Sequence, residues 1–269
     1  MSASLRLIAA ALTVAGFAST GLAQVKLSTL KDLTYAQTFD QLPAPAEQLP
    51  WEWANDGKQT RYGMDGWYLA TVTGAAAKPL AGATAYVSSA GKFPTVVATV
   101  NYGLAGATDR AIGFRFGGKA EANAAAKFYA GVVFVNDTKQ PIGRVEIAYQ
   151  GEQWVKYGGN VETLQTLRVA IANLGPKFPA DKFAVHRVAP VAEVGSLEFR
   201  SQDDATGVTR HASKGPVHVA PIVGAIAFPR PIGPGEHFLL LWTATGNGTE
   251  NGAHSLALDD VKVRFEPAR

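Results

Sequence analysis

Short apolar runs with a two-residue period, separated by glycine-rich turns, constrain this chain more than any other feature. Phe128, Ala130, Val132 and Phe134 alternate with Tyr129, Gly131, Val133 and Val135. Both faces are apolar, the pattern of a central strand covered on each side. Val145, Ile147 and Tyr149 alternate with Arg144, Glu146 and Ala148, so one face of that strand looks inward and the other toward water. Leu167, Val169 and Ile171 repeat the arrangement against Thr166, Arg168 and Ala170. Phe238 to Trp242 is a short continuous apolar run. Leu256, Leu258, Val261, Val263 and Phe265 form a last strand, and its phase changes at Asp259-Asp260, the mark of a bulge or bend.

The turns between these runs are Asp56-Gly57, Asp65-Gly66, Gly117-Gly118, Gly158-Gly159-Asn160, Asn247-Gly248 and Asn251-Gly252. Ala120 to Lys127 is the only helix candidate, and Pro43–Pro50 and Pro229–Pro234 read as loops. Many short strands with such turns predict an all-β fold, a two-layer antiparallel β-sandwich, with first and last strands side by side.

Residues 1–23 are set apart from this pattern. Arg6 precedes an apolar stretch from Leu7 to Phe17, and Gly21-Leu22-Ala23 is a small-x-small cleavage site. That combination predicts a signal peptide removed after Ala23. The apolar run is too short to span a bilayer. The expectation is a secreted or periplasmic protein whose residues 24–269 form a single sandwich domain, with no membrane contact after cleavage. The chain has no Cys, so neither a lipid anchor nor disulfides are expected. A formal net charge of +3, scattered along the chain, gives no reason to expect nucleic acid as a partner.

Catalytic signatures are missing. There is no G-x-S-x-G elbow, H-E-x-x-H, Walker loop or dinucleotide fingerprint. His186, His211, His218, His237 and His254 are widely spaced and read as surface or strand residues. Glycoside hydrolysis needs two carboxylates flanking a sugar. Glu146 and Glu152 are six residues apart, about 20 Å on a straight strand, and pair only if the chain turns at Gly151.

Aromatic residues are more suggestive. Trp51, Trp53, Tyr62, Trp67 and Tyr68 crowd the early part of the chain, and Trp154 and Tyr157 sit beside a glycine-rich turn. Trp67 and Trp242 lie in apolar segments and read as core. Trp53, Trp154 and Tyr157 have polar and glycine neighbours. Flat rings on loops can stack on the C–H faces of sugars. With Glu152 as a hydrogen-bonding neighbour, they are the candidate ligand-binding residues. Asp259 and Asp260 near the end and Asp40 after the first strand offer hard oxygen ligands suited to a structural Ca²⁺.

Several segments together carry a resemblance. They are Tyr35-Ala36-Gln37-Thr38-Phe39-Asp40-Gln41-Leu42-Pro43, Gly66-Trp67-Tyr68, Gly106-Ala107-Thr108-Asp109-Arg110-Ala111-Ile112-Gly113, Gly131-Val132-Val133-Phe134-Val135-Asn136, Tyr149-Gln150-Gly151-Glu152-Gln153-Trp154 and Leu256-Ala257-Leu258-Asp259-Asp260-Val261. In this order they resemble an uncharacterised bacterial exported β-sandwich domain, found alone or in PEP-CTERM-type secreted proteins. The ends also look like those of jelly-roll carbohydrate-binding modules. The resemblance implies export and a sandwich but no established activity. His254-Ser255 and the Thr206–Pro216 stretch depart from the pattern. The expected function is a non-catalytic binding module for a glycan or other extracellular polymer. The alternatives are a glycan-cleaving enzyme of sandwich fold and a structural or adhesion protein.

Overall fold

The structure, a computed structural model, describes residues 24–43, 64–73, 78–79, 86–89, 98–116, 126–156, 164–178, 183–190, 192–202, 215–246 and 254–269. The chain is a two-layer, largely antiparallel β-sandwich. The first sheet runs in the order β11 (Ala192–Glu193), β10 (Thr166–Gly175), β14 (His237–Thr245), β8 (Lys127–Val135), β3 (Trp67–Thr73) and β4 (Lys78–Pro79). Short β1 (Val25–Lys26) adds to β8, and β12 (Phe199–Arg200) adds to β10. The second sheet runs β13 (His218–Ile232), β9 (Ile142–Val155), β15 (Ser255–Pro267), β7 (Ala111–Arg115), β6 (Ala98–Tyr102) and β5 (Tyr86–Ser89), with β2 (Thr34–Gln37) also pairing with β15. The long strands β7, β8, β9, β10, β13, β14 and β15 alternate between the two sheets, a jelly-roll-like winding.

Alternation places one apolar set from each strand between the sheets. Phe128, Ala130, Val132 and Phe134 of β8 meet Val145, Ile147 and Tyr149 of β9 and Val261, Val263 and Phe265 of β15 in one core. Trp67 and Trp242 are fully buried there with rings stacked 5.7 Å apart. The Trp67 indole donates to the Tyr35 hydroxyl at 2.7 Å, which satisfies a polar group that burial would otherwise strand. β8 lies between β14 and β3, and its second apolar face, carrying Val133, packs against Val185 and Phe183.

β2, the first strand read from the sequence, lies beside the closing strand β15: Gln37 pairs with Val261 and Thr34 with Arg264. The phase change at Asp259-Asp260 is a β-bulge. The β9–β15 register shifts between Asp259 and Lys262, and Asp260 takes φ 49° while its N–H donates to Asp259 Oδ1 at 2.7 Å.

β9 runs straight through Gly151, so Glu146 and Glu152 do not pair, and the glycine is needed because the Phe199 ring covers it. Two expectations are corrected. The Pro229–Pro234 stretch is not all loop, since β13 continues to Ile232. Proline fits there because β13 is an edge strand and loses no ladder donor on its free side. Lys127 opens β8 instead of ending a helix; 120–125 lie outside the described residues.

The outer faces of the two sheets differ. That of the first sheet is covered: Tyr68, Val133, Leu239 and Leu241 pack with Val185, Phe178 and Phe183. On the second sheet, among the described residues, one end is covered, by a small cluster of Ala98, Val100, Tyr102, Ala111, Trp154 and Ala257. The other end faces solvent.

Candidate functional site

The open end of the second sheet forms a trough of about 560 Å³ across β13, β9 and β15. Strand pairing dictates its lining. Val223, Ala148 and Lys262 are aligned across the three strands, and so are Ala225, Glu146 and Arg264. The next rank is Ala227, Arg144 and Glu266. One wall is therefore a row of small apolar side chains on β13, with Val223 71% exposed. The opposite wall is charged.

The charges form a ladder. Arg144 Nη1 donates to Glu146 Oε1 at 3.0 Å and to both Glu266 oxygens at 2.9 and 2.8 Å. Arg264 Nη1 reaches Glu146 Oε2 at 3.3 Å. The hydrogen bonds from Arg144 hold the Glu266 carboxyl below the usual carboxylate range. The Lys262 side chain makes no ion pair or hydrogen bond with any described residue. Chemically the trough offers cationic donors, two engaged carboxylates and an apolar row, a surface for an elongated ligand with both C–H and polar faces.

The same face of β9 continues through Gln150 and Glu152 to Trp154, by alternation. Here the expectation of an exposed Trp154 is corrected. The side chain is 3% exposed and lies 5.3 Å from the Tyr102 ring, stacked at 11°. Its indole N–H donates to Glu152 Oε2 at 2.6 Å. Trp154 is the penultimate residue of β9 and lies under the covered end of the sheet, while the Gly158-Gly159-Asn160 turn lies outside the described residues. Glu152 is 7% exposed, and burial pushes its carboxyl up to about 7, against the hydrogen bond from Trp154 and with help from Asp109 and Asp260. Trp53 and Tyr157 lie outside the described residues.

Burial also pushes Asp259 up to about 9, aided by the like charges of Glu152, Asp260 and Asp109. These carboxyls, on β15, β9 and the turn before β7, form an acidic neighbourhood. Asp40 is not among the groups that shift Asp259; it is exposed and acts on Arg110 instead. The oxygen donors suit calcium in kind. Among the described residues, however, no three His, Cys, Asp or Glu side chains converge closely enough to hold a metal ion. The described histidines are likewise dispersed. His254 Nδ1 lies 3.0 Å from Gln153 Nε2, His237 Nδ1 lies 3.0 Å from the Gly175 carbonyl, and His218 stacks on Phe199. No described helix is long and apolar enough to cross a membrane.

Sequence reasoning placed Arg144 and Glu146 toward water but did not assemble the trough. Arg144 and Arg264 are far apart in the chain and become neighbours only when β15 pairs with β9. The signal was present in the alternation of Lys262 and Arg264 with Val261, Val263 and Phe265.

No protein-family model and no curated protein matches the chain. Solved structures similar to it include two carbohydrate-binding modules. One is TmCBM61 in complex with β-1,4-galactotriose, with TM-score 0.29 and 10% identity over 60% of this chain and 74% of that chain. The other is a family 11 module from Clostridium thermocellum bound to a β-1,3-1,4-mixed-linked tetrasaccharide, with TM-score 0.33 and 9% identity over 77% and 93%. A third is the arabinose-bound α-L-arabinofuranosidase MgGH51, with TM-score 0.37 and 6% identity over 91% of this chain and 29% of that one. At this level of likeness the ligand must be argued from the chain's own surface.

Proposed function

We propose that the protein is a non-catalytic binding module for a glycan, held in the trough across β13, β9 and β15. One observation carries this reading: the open face pairs an apolar row of Val223, Ala225 and Ala148 with the hydrogen-bonding ladder of Arg144, Glu146, Lys262 and Arg264. A sugar chain has the same two-sided chemistry, C–H faces and polar edges. Glu152 and Trp154 lie farther along the same face of β9 and are not part of the trough lining. Export through the residue 1–23 leader belongs to the same proposal, and N-terminal sequencing of the exported protein checks it.

A glycan array probed with the protein and with Val223→Asp tests the reading. Val223 is exposed, so its replacement leaves melting unchanged. Retention lost in the variant supports the trough. Retention unaffected by the substitution removes the trough as the site, and no retention on any glycan removes the function.

The second reading, a glycan-cleaving enzyme, is favoured by the two carboxyls held near or above neutrality, Glu152 and Asp259. Release of reducing ends from a retained glycan, abolished by Glu152→Gln, would establish it. Calcium enters the proposal only as a stabiliser held through Asp259 or Asp260; melting with calcium and with chelator tests it.

A further inference from the structure

We infer that the glycan taken by this trough is acidic, a polymer bearing carboxylates of the uronate kind, with Lys262 and Arg264 as the residues that select its charge. The inference rests on the glycan reading of the same trough and deepens it. The trough holds three cations, Arg144, Lys262 and Arg264, against two carboxylates, Glu146 and Glu266, and only the two arginines pair with them. Arg144 takes both oxygens of Glu266 and one of Glu146. Arg264 is left with the longer 3.3 Å contact to a carboxylate already bound.

Lys262 is left with nothing. Its two neighbours across the strands are Ala148 and Ala36, neither of which offers a polar side chain. An ammonium so placed is open to an incoming anion. Lys262 and Arg264 are two residues apart on one face of β15, about 7 Å along the strand. Both are long and exposed, so one carboxylate can accept from both. Asp259, level with Gln150, and Glu152 are buried, and the exposed Asp260 makes no ion pair with Lys262, so this end keeps its excess of cations. Opposite the cations, Val223 and Ala225 provide the apolar row for the C–H side of a sugar ring. The complementarity is thus charge on one edge and hydrocarbon on the other.

The test compares polygalacturonate, its fully methyl-esterified form and a neutral mixed-linkage glucan as probes in affinity electrophoresis. The ester keeps the backbone and removes the charge. Expected is retention on polygalacturonate that is about tenfold weaker on the ester, the effect of one charge-assisted hydrogen bond. Lys262→Ala and Arg264→Ala each weaken retention on polygalacturonate by a similar factor, Lys262→Arg restores it, and melting stays unchanged in all three. Raising salt weakens retention on the acid and not on a neutral probe. Equal retention on acid and ester, or retention on the neutral glucan alone, overturns the charge selection and leaves the glycan reading standing. Retention on polygalacturonate that survives both alanine variants overturns the role of Lys262 and Arg264. Retention on none of the probes or on any arrayed glycan overturns both readings. Poly-L-glutamate bound as tightly as polygalacturonate also overturns both, since the sugar then contributes nothing.

Discussion

The indole N–H of Trp154 donates to Glu152 Oε2 at 2.6 Å, between two residues of one strand that share a face. The contact binds the covered end of the second sheet to its acidic neighbourhood. Trp154 closes over Tyr102, and its N–H satisfies a carboxyl that burial has pushed up to about 7. A ring used in this way supports the sheet and is not available to a ligand.

Trp154→Ala therefore lowers stability by about 3–5 kcal/mol, through lost burial and the cavity left against Tyr102. Trp154→Phe keeps a ring there and loses the hydrogen bond to Glu152, costing about 1–3 kcal/mol. Chemical denaturation of the two variants checks the order. An alanine variant as stable as the parent would return Trp154 to the surface.

Gly151→Ala is predicted to destabilise despite adding only a methyl group. A Cβ at this position would stand 2.2 Å from Phe199 Cγ and 2.8 Å from Phe199 Cβ. Overpacking of this kind costs about 1–3 kcal/mol. Adding Phe199→Leu to Gly151→Ala makes room, and the double variant should melt above the sum of the two single losses.

Tyr35→Phe tests the joint between the first strand and the core. The Tyr35 hydroxyl accepts the hydrogen bond of the buried Trp67 indole at 2.7 Å. Removing the acceptor leaves a buried donor unpaired, at about 1–3 kcal/mol. Tyr35→Phe combined with Trp67→Phe removes donor and acceptor together, and a double-mutant cycle should show a clear coupling between the sites.

Much of the fold was legible because strand alternation depends only on neighbouring residues. Phe128 to Val135 and Val145 to Tyr149 declare their buried faces without reference to anything distant. The bulge at Asp259-Asp260 was readable for the same reason, as a break in that alternation. The site was not readable this way. Lys262 and Arg264 come beside Arg144 and Glu146 only through pairing with a strand more than a hundred residues earlier. The burial of Trp154 was hidden too, since the residues clustered over it, Tyr102, Val100 and Ala98, lie on a strand three places away in the sheet. Its polar and glycine neighbours, Glu152, Gln153 and Gly158, suggested exposure, whereas Glu152 is its hydrogen-bond acceptor.

The last prediction concerns pH and follows from Asp259 and Glu152. Both are buried carboxyls, raised from ordinary values of 3.8 and 4.5 to about 9 and about 7, first by burial and then by mutual repulsion with Asp109 and Asp260. Between the ordinary and raised values the folded chain holds these protons while the unfolded chain has released them. Stability therefore falls as pH rises through that window. The contribution is fully present below about pH 4 and is lost progressively up to about pH 9. Gln150 gives the protonated form of Asp259 a structural use. Its buried Oε1 accepts no hydrogen bond, and Gln150 lies opposite Asp259 in the β9–β15 register. A protonated Asp259 carries the donor that this acceptor lacks. Melting temperature should thus decline from pH 5 to pH 9. Asp259→Asn, which stays neutral and keeps donors facing Gln150, should flatten most of the decline, and Glu152→Gln only the part below about pH 7. A melting temperature that climbs toward pH 9 in the parent protein, or a slope untouched by Asp259→Asn, would show that Asp259 is ionised in the folded state at neutral pH.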